Sequence, residues 1–205
     1  MLYVGIDLGT SAVKLLLMDG AGKIQKIVSK EYPLYFPHPG WSEQNPEDWY
    51  NQSIEGLKEL LADCDRSQVA GISFGGQMHG LVMLDKQGRV LRRSIIWCDQ
   101  RTARQCEEIT QRVGKERLIQ ITANPALTGF TASKILWVRE NEPELYAQCA
   151  HILLPKDYVR YMLTGEFATE VSDASGMQLL DVPHRCWSQE VLEKLDIDPA
   201  LLAKV

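Results

Sequence analysis

The chain has 205 residues, 45% of them hydrophobic and 24% charged, and its 27 acidic against 22 basic side chains give a net charge of −5. That balance excludes wholesale disorder, and at about 100–200 residues per domain the length suits one domain or two small ones. The acidic excess argues against a nucleic-acid partner, and no apolar run approaches the roughly 20 residues that span a bilayer, so neither nucleic acid nor membrane is expected.

Residues 1–7, Met-Leu-Tyr-Val-Gly-Ile-Asp, carry no basic leader and reach an acid too early for a signal-peptide core. The five cysteines (Cys64, Cys98, Cys106, Cys149, Cys186) are odd in number and contain no C-x-x-C. Reduced thiols in a cytoplasmic protein are the expectation.

Residues 2–8 read as an apolar strand ending at the acid Asp7. A turn at Gly9-Thr10-Ser11 follows, then a second apolar run over 12–18, a turn cluster at 19–22 and a third strand over 23–30. Gly9 allows a tight turn and close approach of a ligand, because it has no Cβ. The turn N–H groups and the hydroxyls of Thr10 and Ser11 can then point at phosphate oxygens. Asp7 is placed to hold hydrated Mg²⁺ or a substrate hydroxyl, and Lys14 either adds positive charge or faces solvent. An ordinary hairpin explains Asp7 and Gly9 equally well on these residues alone.

Residues 5–11, Gly-Ile-Asp-Leu-Gly-Thr-Ser, followed by an apolar strand, resemble the phosphate-binding hairpin of the superfamily that holds sugar kinases, actin and heat-shock chaperones. Residues 129–141, Gly-Phe-Thr-Ala-Ser-Lys-Ile-Leu-Trp-Val-Arg-Glu-Asn, resemble a signature of the FGGY carbohydrate kinases, a small residue and Thr before Lys-x-x-Trp. The resemblance implies an α/β fold, a ribonuclease H-like domain of the actin-like ATPase superfamily. Its mixed sheet would be opened by three antiparallel strands, with helices on both faces. It also implies ATP and Mg²⁺ as cofactors, Asp7 as catalytic and metal-holding residue, and Gly9, Thr10, Ser11 and Lys14 around the nucleotide phosphates. Members of this family are often dimers, so a homodimer is a further expectation.

Residues 35–44 are aromatic, proline-containing and irregular, and Asn45 and Pro46 are N-cap and first-turn signals for a helix through Leu61. Trp41-Ser42-Glu43-Gln44 resembles the xylulokinase branch, although Trp41 reads first as a hydrophobic anchor under a loop. Residues 69–74 form a buried-strand run ending at Gly75-Gly76-Gln77-Met78-His79-Gly80. Gln77 and His79 offer neutral donors and acceptors to sugar hydroxyls, and Met78 suits an apolar C–H face. A histidine satisfied within a tight turn is the competing reading. Xylulokinases carry Met-His here where glycerol kinases carry Arg-Glu, so the resemblance favours Met78 and His79 as sugar contacts. A strand is expected over 90–97 and a helix over 102–113. Asp99 either caps that helix or, within the family's W-x-D-x-R segment, lies near the sugar.

Thr131 is positioned to cap a helix over 132–141, in which Lys134 and Trp137 share a face. Trp137 reads as core, and Lys134 as a structural ion-pair partner, not a catalytic amine. A strand over 151–154 and a helix from Pro155 to about residue 164 follow. Asp173 and Ser175 lie in a small polar stretch where turn-capping is preferred to lining a cleft. A last helix spans 189–195, with a short one at Pro199.

Phosphoryl transfer to an alcohol needs a base, a metal and a positioned nucleotide. No glycine-rich segment with an acid, which carries the base in the resembled family, is found through Val205. Residues 1–205 are therefore expected to be the N-terminal domain of an ATP-dependent sugar kinase, inactive alone, whose C-terminal nucleotide-binding domain lies outside this chain. The favoured substrate is D-xylulose, phosphorylated at its 5-hydroxyl. Alternatives are another pentulose or polyol kinase such as a ribulokinase or gluconokinase, or a non-catalytic sugar-binding module. An actin-like filament or chaperone domain is disfavoured, because residues 75–80 and Lys134-x-x-Trp137 would have no role in it.

Overall fold

The computed structural model describes all 205 residues, Met1–Val205. In chain order the strands are β1 (Leu2–Leu8), β2 (Ala12–Asp19), β3 (Ile24–Glu31), β4 (Glu43–Gln44), β5 (Val69–Gly76), β6 (Val82–Leu84), β7 (Ser94–Ile95), β8 (His151–Leu153), β9 (Leu180–Asp181) and β10 (Cys186–Trp187). The helices are α1 (Pro46–Leu60), α2 (Ala103–Val113), α3 (Lys115–Thr122), α4 (Thr131–Asn141), α5 (Pro143–Tyr146), α6 (Pro155–Thr164), α7 (Val171–Ser175) and α8 (Gln189–Leu195).

The first three strands form because their apolar residues alternate, so one face can be buried. They make an antiparallel meander, and β5 adds in parallel to β1, giving the order β3-β2-β1-β5. Val4, Ile6, Leu8, Val13, Leu15, Leu17 and Val28 are buried on one face beneath Trp49 and Leu60 of α1 and Tyr158 and Val159 of α6. The start of α1 is as predicted: Asn45 is the N-cap, accepting from the Glu47 N–H, and Pro46 is the first helical residue. A second core, built from Leu81, Met83, Ile109, Leu118, Ile135, Val191 and Leu192, binds α2, α3, α4 and α8 to β6.

Four expectations are corrected. Helices α1 and α6 share one face of the four-stranded sheet, and the opposite face is open at Tyr3, Asp7, Lys14 and Ile27. The strand over 90–97 shrinks to β7, because Arg92 leaves the ladder to reach Glu43 and Glu142, each at 2.7 Å. The segment 35–44 is not wholly irregular: Tyr35 and Glu43 exchange two backbone hydrogen bonds of 2.9 Å, and β4 pairs with β7. Thr131 is the first residue of α4 and not its cap, and its hydroxyl is turned to the His79 carbonyl at 3.2 Å.

Candidate active site

The turn after β1 is held from three directions. Tyr32 donates its hydroxyl to the Gly9 carbonyl, the Gln44 amide donates to the Thr10 carbonyl at 2.7 Å, and Trp97 Nε1 donates to Thr10 Oγ1 at 3.0 Å. A Cβ on Gly9 would lie 2.9 Å from the Ala12 carbonyl oxygen, so the bend needs glycine. Burial and the nearby Asp7 carboxylate raise the Tyr32 hydroxyl's pKa well above its ordinary value, which keeps it a donor.

Asp7 and Lys14 face each other across β1 and β2 and are exposed on the open sheet face. With Gly5, Leu16, Ile27 and Gly75 they line a cavity of about 360 Å³. Neither side chain has an ion-pair partner within 4.0 Å. No group of three His, Cys, Asp or Glu side chains could cage a metal. A single carboxylate without an ion-pair partner nevertheless fits Mg²⁺, which keeps its waters and is held by one or two carboxylates plus phosphate oxygens.

Asp7 lies opposite Gly75 in the parallel register of β1 and β5. One residue further, Gly76 lines a second cavity of about 520 Å³ together with Met78, His79, Phe130, Lys156, Glu170, Asp173 and Ser175. The cavities that hold Asp7 and His79 therefore flank the Gly75-Gly76 end of one strand. Met78 is 49% exposed, its thioether free for an apolar contact.

His79 is fixed in the left-handed region at φ +64°. Its carbonyl accepts from Lys134 Nζ at 2.7 Å as well as from Thr131, and Lys134 also donates to the Gly129 carbonyl at 2.7 Å. Its ring meets Phe130 edge-on, centroids 4.6 Å apart, and lies against Gly176, where any Cβ would overlap it. Burial, and then the Lys134 charge, lower the His79 pKa to about 4, so the ring is uncharged at neutral pH, with its Nδ1 buried against Gly176. Lys134 itself is fully buried, and desolvation brings it down to about 7. The carboxylate partner expected for it is replaced by two carbonyls. It ties the His79 turn to the loop that starts α4.

Two candidate sugar contacts are placed elsewhere. Gln77 is 6% exposed, donates its side-chain amide to Gln44 Oε1 at 2.7 Å and its backbone N–H to the Leu8 carbonyl at 2.7 Å. It thus supports the turn at Thr10 through Gln44. Asp99 is fully buried and neither caps α2 nor reaches a cavity. It accepts from the Ser42 N–H at 2.6 Å and pairs bidentately with Arg101 through Nε at 3.0 Å and Nη2 at 2.7 Å. Arg101 in turn stacks on Trp41, 3.7 Å from the ring centroid, so Trp41 is an anchor as expected.

Sequence reasoning missed Tyr32, Gln44, Trp97 and Phe130 as supports and Lys156 and Glu170 as lining residues. Gln44, Trp97 and Phe130 lay within segments that the resemblance marked, whereas Tyr32, Lys156 and Glu170 carried no signal. Lys156 lies 3.1 Å from Asp157, and 3.3 Å from both Glu170 and Asp173.

A family model described as the FGGY family of carbohydrate kinases, N-terminal domain, matches residues 2–205. The chain is 49% identical over 196 residues to the xylulose kinase of Bacillus subtilis (strain 168), covering 95% of this chain and 39% of that protein. A crystal structure of a xyloylose kinase from Brucella ovis superposes with a TM-score of 0.94 at 39% identity, covering 100% of this chain and 43% of the other. A gluconate kinase from Lactobacillus acidophilus superposes at 0.93 with 30% identity, over 99% of this chain and 41% of that one. The chain spans about two fifths of the length of the curated relatives it matches.

Proposed function

The chain belongs to the FGGY family of carbohydrate kinases, and from that footing we propose that it forms the N-terminal, sugar- and phosphate-binding domain of an ATP-dependent kinase for D-xylulose. Its fold is the ribonuclease H-like fold of the actin-like ATPase superfamily. The observation that carries the proposal is the pairing of an exposed Met78 and a neutral, rigidly held His79 in a polar cavity beside the strand end that faces Asp7.

The roles follow from the chemistry of the side chains. His79 orients a sugar hydroxyl with its neutral ring, and Met78 covers a C–H face. The Asp7 carboxylate holds Mg²⁺, and the Gly9-Thr10-Ser11 turn and Lys14 receive the phosphate oxygens. ATP with Mg²⁺ supplies the γ-phosphoryl group and screens its charge. The base for the attacking 5-hydroxyl is assigned to an aspartate of a glycine-rich segment outside these 205 residues, in the C-terminal domain's half of the enzyme. The same reading places the protein in the cytoplasm, and no helix is long and apolar enough to cross a membrane.

The similarity to a gluconate kinase raises a sugar acid as an alternative. The cavity wall carries Glu170 and Asp173 against Lys156, and this net negative charge favours a neutral sugar over a carboxylate. ADP release by the full-length enzyme with D-xylulose, D-ribulose, glycerol and D-gluconate tests the assignment. D-xylulose should lead in kcat/KM by at least about 100-fold over glycerol and D-gluconate. Turnover of D-gluconate with none of D-xylulose overturns it.

A further inference from the structure

The cavity that holds His79 contains charged chemistry that the roles above leave unused. Asp173 sits on the one-and-a-half turns of α7, whose start is capped by Glu170 accepting from the Ser172 and Asp173 N–H groups at 2.7 and 2.8 Å. The Asp173 side chain is only 9% exposed, and its Oδ2 has Lys156 Nζ as its sole polar partner, at 3.3 Å and off the ideal bonding angle. Lys156 Nζ stands 3.3 Å from that oxygen, close enough to supply charge, but its bonding geometry is directed to Asp157 Oδ1 at 3.1 Å. One ammonium shared among Asp157, Glu170 and Asp173 leaves the Asp173 carboxylate with acceptor capacity to spare. That carboxylate lines the cavity that also holds Met78 and His79.

We infer that Asp173 contacts the sugar directly and sets specificity, its carboxylate accepting a hydrogen bond from a substrate hydroxyl, while Lys156 is a positioning residue that holds the carboxylate in place. The inference rests on the proposed sugar site and deepens it. An ionised carboxylate only accepts, so it selects a ligand with a hydroxyl at that point and turns away both a deoxy sugar and a second carboxylate. His79, with its neutral ring, lines the same cavity. The substrate class is a neutral polyhydroxy ketose held in that polar cavity. Burial of Asp173 raises its pKa to about 6, which leaves it mostly ionised at neutral pH.

The test uses the full-length enzyme, with calorimetric titration of D-xylulose beside steady-state kinetics, on the wild type and on Asp173→Ala and Asp173→Asn. Each variant should lose about 10–150-fold in sugar affinity and in kcat/KM, with KM for ATP unchanged. Asp173→Asn keeps the shape of the side chain, so it reports even where the alanine variant folds poorly. A set of singly deoxygenated ketoses separates contact from structure. One analogue should bind the wild type poorly yet bind the Asp173 variants as well as D-xylulose does. Unchanged sugar affinity in both variants, or equal losses against every analogue, overturns the inference while leaving the kinase assignment intact. A wild type that neither binds nor phosphorylates any ketose overturns both.

Discussion

At the scale of single residues, His79 and Asp173 pull the stability of this domain in opposite directions over the same pH range. His79 is held to about 4 in the fold against an ordinary 6.5, so the unfolded chain binds more protons between those values and stability falls as pH drops through them. Asp173 is raised to about 6 from 3.8 by burial, and here the folded state binds more protons. Its contribution is full below 3.8 and lost as pH rises through 6. Between pH 4 and 6 the two offset each other. Lys134, held near 7, acts only above that window. Thermal melts of Asp173→Asn between pH 6.5 and 4 should therefore fall more steeply with acidification than those of the wild type. His79→Asn, whose side chain tolerates the left-handed backbone at that position, should fall less steeply. Parallel pH profiles in all three proteins would show that neither group is perturbed in the fold.

The elements around the site are locked by a buried charge network more than by regular pairing. Arg101, with its side chain 1% exposed, joins Asp99 to Glu43 and lies between Trp41 and Trp137. Glu43 also takes Arg92, which reaches on to Glu142 at the end of α4. One guanidinium thus ties together β4, the segment before α2, and α4. Removing it strands the fully buried Asp99 carboxylate, so Arg101→Met should destabilise the domain by about 3–5 kcal/mol. The double variant Asp99→Asn, Arg101→Met should recover part of that loss, because the orphaned charge is gone. Chemical denaturation with the linear extrapolation measures both, and equal losses in single and double variants would refute the account.

At the scale of the whole molecule, one face of the main sheet and the outer edge of β5 remain uncovered within this chain. Ile27 is 60% exposed and Ile72 is 45% exposed, and β5 is hydrogen-bonded only to β1. An unpaired strand edge with exposed apolar side chains is a template for association. The 205-residue chain by itself should self-associate with rising concentration, and Ile72→Lys should suppress this in sedimentation experiments. A wild-type chain that stays monomeric at high concentration would contradict the prediction.

Much of this was legible along the chain because it depends on local chemistry. The alternation in β1 to β3, the Asn45-Pro46 helix start and the Gly9 turn are short-range signals, set by which backbone angles and which face each residue can accept. The sequence by itself determined the family, the opening meander, and the placing of Asp7 and Met78-His79 at strand ends. Only the tertiary structure decided that Asp99 serves Arg101, that Gln77 serves Gln44, that Lys134 holds two carbonyls, and that Asp173 and Lys156 line the cavity that holds His79. Gln77 and Gln44 lie 33 residues apart and Lys134 and the His79 carbonyl 55, and even the neighbouring Asp99 and Arg101 meet only because the chain around them folds over both. Burial of a polar group and identity of its donor are properties of three-dimensional neighbours, which no spacing of residues along one strand or helix can encode.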